Sequence, residues 1–311
     1  MNNADIYISD SIVPNPKVTV CVVTYNQINF VRQCLESLVT QVTNFEFEIV
    51  VADDCSTDGT VEVLQDLRSQ YPEKIRLYCH RKNIGANENF RFVHQQARGE
   101  YVAHMDGDDY ALPGKLQVQA EYLDANKDCQ IVWHQMKILN TSSGELYDQY
   151  YKVEFLRSRV FGVDDLILSI TLGVHSSKMY RKWSGFSSSG LPDYDFSENV
   201  MHLHHVGGYA AFLPAGPLGV YRSGIGISRN RGRVRSDIYR WLDYFYSNGV
   251  GSQKAIAAKV LLMTLSDWKH NSSSFSVGRI LALKILPKLS FSMVCRCRNA
   301  SRLPITLARQ S

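Results

Sequence analysis

The chain has 311 residues, is 45% hydrophobic and 21% charged, and carries a net charge of +4 at pH 7. This length and composition are ordinary for a globular protein with a sizeable core, either one large domain or a domain with an appendage. The opening "MNNADIYISD" lacks the basic start and apolar core of a signal peptide, and no uncharged apolar stretch approaches the ~20 residues of a membrane-spanning helix, so we expect neither.

Cysteine usage indicates a reducing compartment. The seven cysteines are an odd number and include no C-x-x-C pair. Cys21, Cys34 and Cys79 fall within apolar strand or helix patterns, as reduced core thiols do. We therefore expect a cytoplasmic protein without disulfides.

Strand and helix patterns alternate along the first half of the chain. Strands are predicted at residues 17–25, 45–53, 74–80, 100–105 and 129–139, and helices at 29–41, 58–71, 87–98 and 113–126. This alternation is typical of right-handed strand–helix–strand units, which build a parallel sheet covered by helices. The predicted fold class is α/β, and ligands of such sheets bind at the carboxyl ends of the strands.

Polar turns follow four of these strands. They are Thr24-Tyr25-Asn26, Asp53 to Thr60, Asn83-Ile84-Gly85, and the acidic turn Asp106-Gly107-Asp108-Asp109. Crowded carboxylates repel one another unless a cation or strong donors compensate, so the acidic turn is a candidate metal site. The alternative is a solvated turn that caps the next helix. No dinucleotide, P-loop or calcium-loop motif is present, which indicates a nucleotide pocket of another type.

Four segments, in this order and spacing, resemble the family-2 glycosyltransferases with the GT-A fold. They are "VTVCVVTYNQ", "IVVADDCSTDGT", "NIGANENF" and "GEYVAHMDGDDYALPGKL". The resemblance is dense over residues 17–140 and thin to about residue 230. It implies a Rossmann-like, mostly parallel sheet flanked by helices. It also implies an inverting enzyme that moves a sugar from a nucleotide-sugar, expected to be a UDP-sugar, to a hydroxyl of a glycan or lipid-linked acceptor in bacterial surface-polysaccharide synthesis.

The resemblance assigns the acidic turn to a divalent cation. In the family this turn holds Mn²⁺ or Mg²⁺, which bridges the diphosphate of the donor, and such hard cations prefer oxygen ligands. Asp108 is the first choice as a direct ligand. Asp106 would contact the metal through water, or the ribose, and Asp109 would support the turn from behind.

The same resemblance places a nucleotide site around the other turns. Asp54 aligns with the carboxylate that accepts the N3–H of uracil, a charge-assisted hydrogen bond; a helix-capping role is the alternative. Asn83 and Gly85 would form a tight turn beneath the nucleotide, with a structural role as the alternative. The complete nucleotide-binding set predicted here is Thr24, Tyr25, Asn26, Asp54, Asn83, Gly85, Asp106 and Gly107.

The catalytic base is ambiguous between two carboxylates. The segment "PDYDF" offers Asp193 and Asp195, with Glu198 one helical turn further on as a third candidate, and the register is uncertain because Pro192 stands where the family has Glu. A base must deprotonate the acceptor hydroxyl from within hydrogen-bond reach. The family has a His near the diphosphate or metal, two residues after its Tyr-Arg pair. This chain has Gly224 there, so that role is either vacant or filled elsewhere, with His175 as a candidate. Arg222 is a candidate clamp for pyrophosphate or for an anionic lipid carrier, and the alternative is that it has no such role.

The C-terminal residues are basic and apolar. After Asp267 there is no acidic residue, whereas eight Lys and Arg residues are interleaved with apolar ones. Such a segment suits an anionic membrane surface, and without a recognisable binding motif nucleic acid is not an expected partner. A solvated tail, or one that packs on the domain, is the alternative. The expected location is cytoplasmic, with peripheral attachment at the inner face of the cell membrane.

The predicted organisation has four consecutive segments. They are a lead-in (1–16), a nucleotide-sugar-binding half (17–140), an acceptor-binding and catalytic half (141–235) and a basic helical extension (236–311). Two other functions fit the same sheet. A nucleotidyltransferase would need a Gly-rich loop after the first strand, which Thr24-Tyr25-Asn26 is not. An inert GT-A scaffold that binds a glycan or a partner would not need its acidic residues intact.

Overall fold

The computed structural model describes residues 4–148, 160–169, 171–183, 197–224, 231–270 and 274–300. The chain divides into two compact units. The first contains residues 1–149, 173–188 and 212–223, and the second contains 150–172, 189–211 and 224–311. The two units are interleaved along the chain, whereas the sequence analysis divides it into consecutive segments. The roles assigned to those segments stay predictions.

The secondary structure follows the predicted alternation over the first half of the chain. The strands are β1 (Ala4–Tyr7), β2 (Val18–Thr24), β3 (Phe47–Asp53), β4 (Ile75–His80), β5 (Tyr101–Asp106), β6 (Tyr110–Ala111), β7 (Cys129–Trp133), β8 (Lys137–Asn140), β9 (Leu146–Asp148), β10 (Val160–Phe161), β11 (Lys178–Arg181), β12 (Tyr209–Phe212) and β13 (Gly219–Ser223). The helices are α1 (Val31–Val39), α2 (Thr60–Gln70), α3 (Ala86–Gln95), α4 (Lys115–Ala125), α5 (Val163–Ser169), α6 (Glu198–Val206), α7 (Arg231–Asn248), α8 (Gln253–Lys269), α9 (Phe275–Ile285) and α10 (Phe291–Ala300).

The first unit is built on a mostly parallel sheet. Its strands lie in the order β1-β4-β3-β2-β5-β11-β7. The four adjacent strands β4, β3, β2 and β5 run parallel to one another. The central strand β2 reads "VTVCVVT" and is almost entirely buried, as expected for a parallel strand covered on both faces. The predicted α/β class with a mostly parallel sheet is confirmed.

Two antiparallel strands in this sheet were not predicted. Strand β11 lies between β5 and β7 and is antiparallel to both. Strand β1, within the predicted lead-in, pairs antiparallel with β4 at the sheet edge. Both pairings join residues far apart in the chain, so local patterns did not reveal them.

The single strand predicted at 129–139 is wrong, because the structure has two strands there. Strand β7 belongs to the large sheet, whereas β8 belongs to a second, small sheet with the order β6-β13-β8-β9. The chain leaves the large sheet at His134, a fully buried residue whose Nε2 lies 2.9 Å from Lys115 Nζ.

The second unit contains the C-terminal helices, which confirms the predicted helical extension. Helix α8 begins after Ser252, whose hydroxyl accepts a hydrogen bond from Ala255 N at 3.1 Å. Helix α9 approaches α7 and α8 closely at Gly278, where a Cβ atom would lie 2.5 Å from the Tyr239 hydroxyl. Asp267 in α8 accepts hydrogen bonds from Tyr239 and Ser274, both at 2.9 Å. The extension is therefore packed on the unit along one side of α9.

Candidate active site

The polar turns predicted to converge do converge on one edge of the large sheet. Thr24 at the end of β2 is in register with Asp53 of β3, and Val23 is in register with Asp106 of β5. The backbone N–H of Asp54 donates to Thr24 O at 3.0 Å, and that of Gly107 donates to Val23 O at 2.9 Å. These bonds hold the ends of the three strands side by side.

The three carboxylates of the acidic turn have different surroundings. Asp106 Oδ1 lies 3.1 Å from His104 Nε2. Asp109 is fully buried and accepts from the Arg222 backbone N–H at 2.8 Å and from the Ser176 hydroxyl at 2.5 Å. In the described part of the chain, the Asp108 carboxylate accepts no hydrogen bond from another residue's side chain. Asp108 is thus the member of the turn that is left for a ligand.

The proximity of these carboxylates shifts their pKa values apart. Burial raises the pKa of Asp108 to about 7, and the charge of Asp106 contributes to the shift. Burial also raises the pKa of Asp109 well above its usual range, with the charges of Asp108 and Asp106 adding to it. Burial pushes the pKa of Asp106 upward too, but the hydrogen bonds that its carboxylate accepts from His104 and Ser176 oppose burial, and the pKa is lowered to about 2. The turn therefore does not readily carry three negative charges unless a cation is present.

The donor atoms of the turn fit a divalent cation that is shared with a substrate. Among the described residues, no group of three or more His, Cys, Asp or Glu side chains is arranged to hold a metal by itself. A Mg²⁺ site commonly combines one or two carboxylates with substrate phosphates and water. Asp108 and Asp106 supply oxygen ligands of that kind and number.

The Asp54 carboxylate, in the turn after β3, is hydrogen-bonded to the turn after β4 that contains Asn83 and Gly85. Its Oδ1 accepts from Ile84 N at 2.7 Å and its Oδ2 accepts from Gly85 N at 3.0 Å, while Asn83 Nδ2 donates to Asp54 O at 3.2 Å. Gly85 has φ +91°, a conformation that favours glycine. Each carboxylate oxygen retains a second lone pair, so these bonds are compatible with a further donor from a base.

The remaining predicted nucleotide residues line the same edge with different exposures. Thr24 is buried, and its hydroxyl has no hydrogen-bond partner among the described residues. Tyr25 is half exposed. Asn26 (φ +53°) joins two turns, since its N–H donates to Ser56 Oγ at 2.8 Å and its Oδ1 accepts from Thr57 N at 2.9 Å.

At Gly107, a Cβ atom would collide with Gln27 Oε1 and lie 3.0 Å from Val23 O. Close packing thus requires glycine there.

The chain is related in sequence to known proteins over its first half. The sequence model described as glycosyl transferase family 2 matches residues 19–182, more than half of the chain. The chain belongs to this family. This confirms the predicted family.

Curated relatives extend the family match. An uncharacterized protein of Mycobacterium tuberculosis is 32% identical over 208 residues, which cover 64% of this chain and 57% of that protein. The poly(ribitol-phosphate) beta-N-acetylglucosaminyltransferase TarS of Staphylococcus aureus is 36% identical over 110 residues, 35% of this chain and 19% of TarS. The chain therefore spans little more than half of the mycobacterial relative and a small part of TarS.

Solved structures share the GT-A fold with this family member. S. aureus TarS 1–349 in complex with UDP-GlcNAc superposes with a TM-score of 0.57 over 88% of this chain and 72% of that chain, at 20% identity. The mannosyltransferase PcManGT of Pyrobaculum calidifontis, in complex with GDP-Man and Mn²⁺, has a TM-score of 0.55 over 95% and 84%, at 17% identity. At these identities the comparison shows the fold, and the predicted GT-A fold is confirmed.

Arg222 in this family member braces the acidic turn. Its guanidinium donates to the Asp108 carbonyl and to Gln33 Oε1, and it lies 5.0 Å from the Phe30 ring and 5.1 Å from the Tyr110 ring. The residue is buried. Through these contacts Arg222 supports the turn. The suggested role of Arg222 as a clamp for pyrophosphate stays a prediction.

Sequence reasoning missed several residues that contact the carboxylates or lie close to them. Ser176 lies 67 residues beyond Asp109, in a short 3-10 turn, and no local pattern marks it. Lys115 is fully buried, with its Nζ 2.8 Å from Ser176 O. Burial lowers its pKa to about 7, against the opposing charge of Asp109. His104 directly precedes the acidic turn on β5, and its position two residues before Asp106, on the same face of the strand, was the available signal.

The two candidate bases are not among the residues that the structure describes. Asp193 and Asp195 both fall in the gap between residues 183 and 197. Glu198, the third candidate, begins helix α6 in the second unit and is buried. His175 lies near the acidic turn, with its ring centroid 5.7 Å from that of His104.

Proposed function

We propose that this chain is a metal-dependent, inverting glycosyltransferase that moves a sugar from a UDP-sugar to a hydroxyl acceptor. The observation that carries the proposal is the acidic turn at the carboxyl end of β5. There, burial and the neighbouring charge of Asp106 raise the pKa of Asp108 to about 7. A carboxylate whose pKa is raised so far above its usual range is suited to bind a cation that arrives with the substrate.

Asp108 and Asp106 are the proposed ligands of Mn²⁺ or Mg²⁺. When bound, the cation would stabilise the negative charge that develops on the leaving diphosphate, as a Lewis acid. Asp109 holds the turn through Ser176 and the backbone of Arg222. A solved neighbour is described as a complex with Mn²⁺, which supports a divalent metal without indicating which one this chain uses.

Asp54 is the proposed basis of selection for uracil. A carboxylate accepts from the N3–H of uracil but has no such donor to accept from in cytosine, so a charge-assisted bond forms only with the former. The amides of Ile84 and Gly85 hold the Asp54 side chain in place. Thr24, Tyr25 and Asn26 lie at the neighbouring strand end and would line the base. TarS is described as a complex with UDP-GlcNAc, which supports a UDP-sugar here.

The acceptor is proposed to be a glycan or lipid-linked glycan of a surface polysaccharide, reached from the cytoplasmic side of the membrane. No described helix combines the length and apolar character needed to cross a bilayer. The outer face of α9 consists of Ile280 and Leu283, 69% and 72% exposed, with Arg279 and Lys284 beside them. Exposed apolar residues flanked by basic ones suit the boundary of an anionic membrane.

Release of UDP from a panel of UDP-sugars in the presence of Mn²⁺ tests the proposal. We expect turnover with at least one UDP-sugar and none with the matching GDP-sugar or CDP-sugar, and Asp108→Ala should abolish it. A nucleotidyltransferase would instead release pyrophosphate from a nucleoside triphosphate. An inert scaffold would bind UDP without turning over any sugar, and either result would overturn the proposed activity.

A further inference from the structure

A row of hydrogen-bonded side chains leads from the protein interior to the acidic turn. Tyr180 Oη lies 2.6 Å from His94 Nδ1, His94 Nε2 lies 3.0 Å from His104 Nδ1, and His104 Nε2 lies 3.1 Å from Asp106 Oδ1. The tyrosine and both histidines are at most 5% exposed. They come from β11, α3 and β5, so three elements contribute to one row.

The Asp106 carboxylate, at the end of the row, constrains which atom donates the hydrogen in each bond. An ionised carboxylate only accepts hydrogen bonds, so His104 Nε2 must carry the hydrogen. If the His104 ring is neutral, its Nδ1 presents a lone pair, to which His94 Nε2–H donates. His94 Nδ1 in turn accepts from the Tyr180 hydroxyl. One assignment of tautomers therefore satisfies every bond in the row.

Packing leaves these rings little freedom to adopt another arrangement. The His94 ring stacks on His104 at 5.1 Å and 21°, and on Tyr180 at 5.8 Å and 18°. Phe90 packs against His94 with a centroid distance of 4.0 Å. A buried polar atom that loses its partner is costly, so the row is stable only when all of its bonds are made.

We infer that His104, His94 and Tyr180 are positioning residues that orient the Asp106 carboxylate for its ligand. His104 engages Oδ1, which leaves Oδ2 as the oxygen available to a metal–nucleotide; the Ser176 hydroxyl lies 3.3 Å from it. Hydrogen bonds to a ligating carboxylate fix its orientation, and their loss commonly costs 10–100-fold in metal affinity. The inference rests on the proposed function only in taking that ligand to be a metal–nucleotide.

Two substitutions at His104 separate orientation from packing. The amide nitrogen of glutamine reaches the place of Nε2, so His104→Gln keeps the donor to Asp106. The shorter asparagine reaches only the place of Nδ1, so His104→Asn loses it. Tyr180→Phe removes the far end of the row. His80→Gln is the matched control, because His80 is also buried but its Nε2 pairs with Asn89 at 3.1 Å.

The first measurement is Mn²⁺ binding in the presence of UDP. Electron paramagnetic resonance monitors this binding and does not require the protein to turn over a substrate. We expect His104→Asn to raise the Mn²⁺ Kd by roughly 10–100-fold. His104→Gln should stay much closer to the unsubstituted protein, and His80→Gln should leave the Kd unchanged. Tyr180→Phe should give a smaller loss than His104→Asn, since it acts through two rings.

The second measurement is ¹⁵N NMR of the histidine rings in the metal-free protein, which reports the tautomer directly. We expect the Nε2–H form for both His94 and His104. A Nδ1–H form or a charged ring at His104 at neutral pH would overturn the inferred direction. Equal Mn²⁺ affinity for His104→Asn and His104→Gln, with both folded, would overturn the positioning role. If the unsubstituted protein binds no Mn²⁺ in the presence of UDP, the proposed metal site is wrong. The NMR result then still tests the direction of the hydrogen bonds in the row.

Discussion

The Ser176 hydroxyl donates to Asp109 Oδ2 at 2.5 Å, across 67 positions of sequence. The same hydroxyl oxygen accepts from the Asp106 backbone N–H at 3.0 Å. A single small side chain thus ties the turn before β11 to both ends of the acidic turn. Because all of these groups are buried or half-buried, their bonds have little competition from water.

Replacement of Ser176 by alanine should therefore loosen the acidic turn. Ser176→Ala leaves a buried carboxylate oxygen and a backbone N–H without their partner, which costs about 1–3 kcal/mol of the free energy of unfolding. Urea denaturation measures that loss, and Mn²⁺ binding with UDP should weaken in parallel. The control is Ser177→Ala, whose buried hydroxyl donates to Val174 O at 2.7 Å and contacts no carboxylate of the turn. Equal effects of both variants on Mn²⁺ affinity would contradict this role for Ser176.

Metal affinity should depend on pH through Asp108. A cation needs the carboxylate form, and the pKa of Asp108 is about 7 in the metal-free protein, so protons compete with the metal below neutrality. We expect Mn²⁺ affinity to rise with pH through about 7 and then to level off. Asp108→Asn should bind weakly and without this dependence, as followed by calorimetry. EDTA should abolish turnover, and added metal should restore it. Full activity after metal-free dialysis would contradict this prediction.

The raised pKa of Asp108 also affects the stability of the metal-free protein. The folded-state pKa of Asp108 lies above its ordinary value of 3.8, so the folded state binds the proton more tightly than the unfolded state. Asp108 therefore destabilises the fold increasingly as the pH rises from about 4 through 7. Asp108→Asn should remove this loss and be the more stable protein at pH 8. Identical pH profiles of thermal stability for the two proteins would show that Asp108 is not shifted.

The catalytic base can be identified by comparing two isosteric variants. Asp193→Asn and Asp195→Asn should be assayed at saturating donor. The variant at the true base should lose about 10²-fold or more in kcat, because general-base catalysis contributes that much, while UDP binding is retained. The other variant should change kcat little. Mild, equal losses in both would indicate that the base lies elsewhere.

Membrane binding should depend on the outer face of α9. Residues of the opposite face, Leu281 and Ile285 among them, are buried, so removal of the extension would expose the core, and point variants are the better test. Ile280→Ser with Leu283→Ser should reduce sedimentation with anionic vesicles and leave turnover of a water-soluble acceptor unchanged. High salt should release the protein only in part, since it screens the basic residues but not the apolar contact. Val42→Ser, which removes a residue that is 84% exposed in the first unit, is the control. Equal sedimentation of all variants would exclude this face.

The sequence by itself determined the alternating elements and the place of the acidic turn. Periodicity and turn chemistry are local properties of the sequence. They predict that "VTVCVVT" is a buried strand and that another strand ends by Asp106, before any tertiary contact is known. The convergence of Thr24, Asp54 and Asp106 followed from the rule that ligands of parallel sheets bind at the carboxyl ends of strands. These predictions need only sequence spacing and fold class.

Only the tertiary structure decided what surrounds those carboxylates. The antiparallel insertion of β11 beside β5 brings Tyr180 and Ser176 to the site, and β13 brings the backbone of Arg222 to Asp109. At the break between β7 and β8, His134 likewise makes a buried contact with Lys115, 19 positions earlier in the chain. Each of these pairings closes a loop of tens of residues, and its stability comes from burial and bonds made together in the folded core. No pattern within a short window of sequence can encode such a pairing.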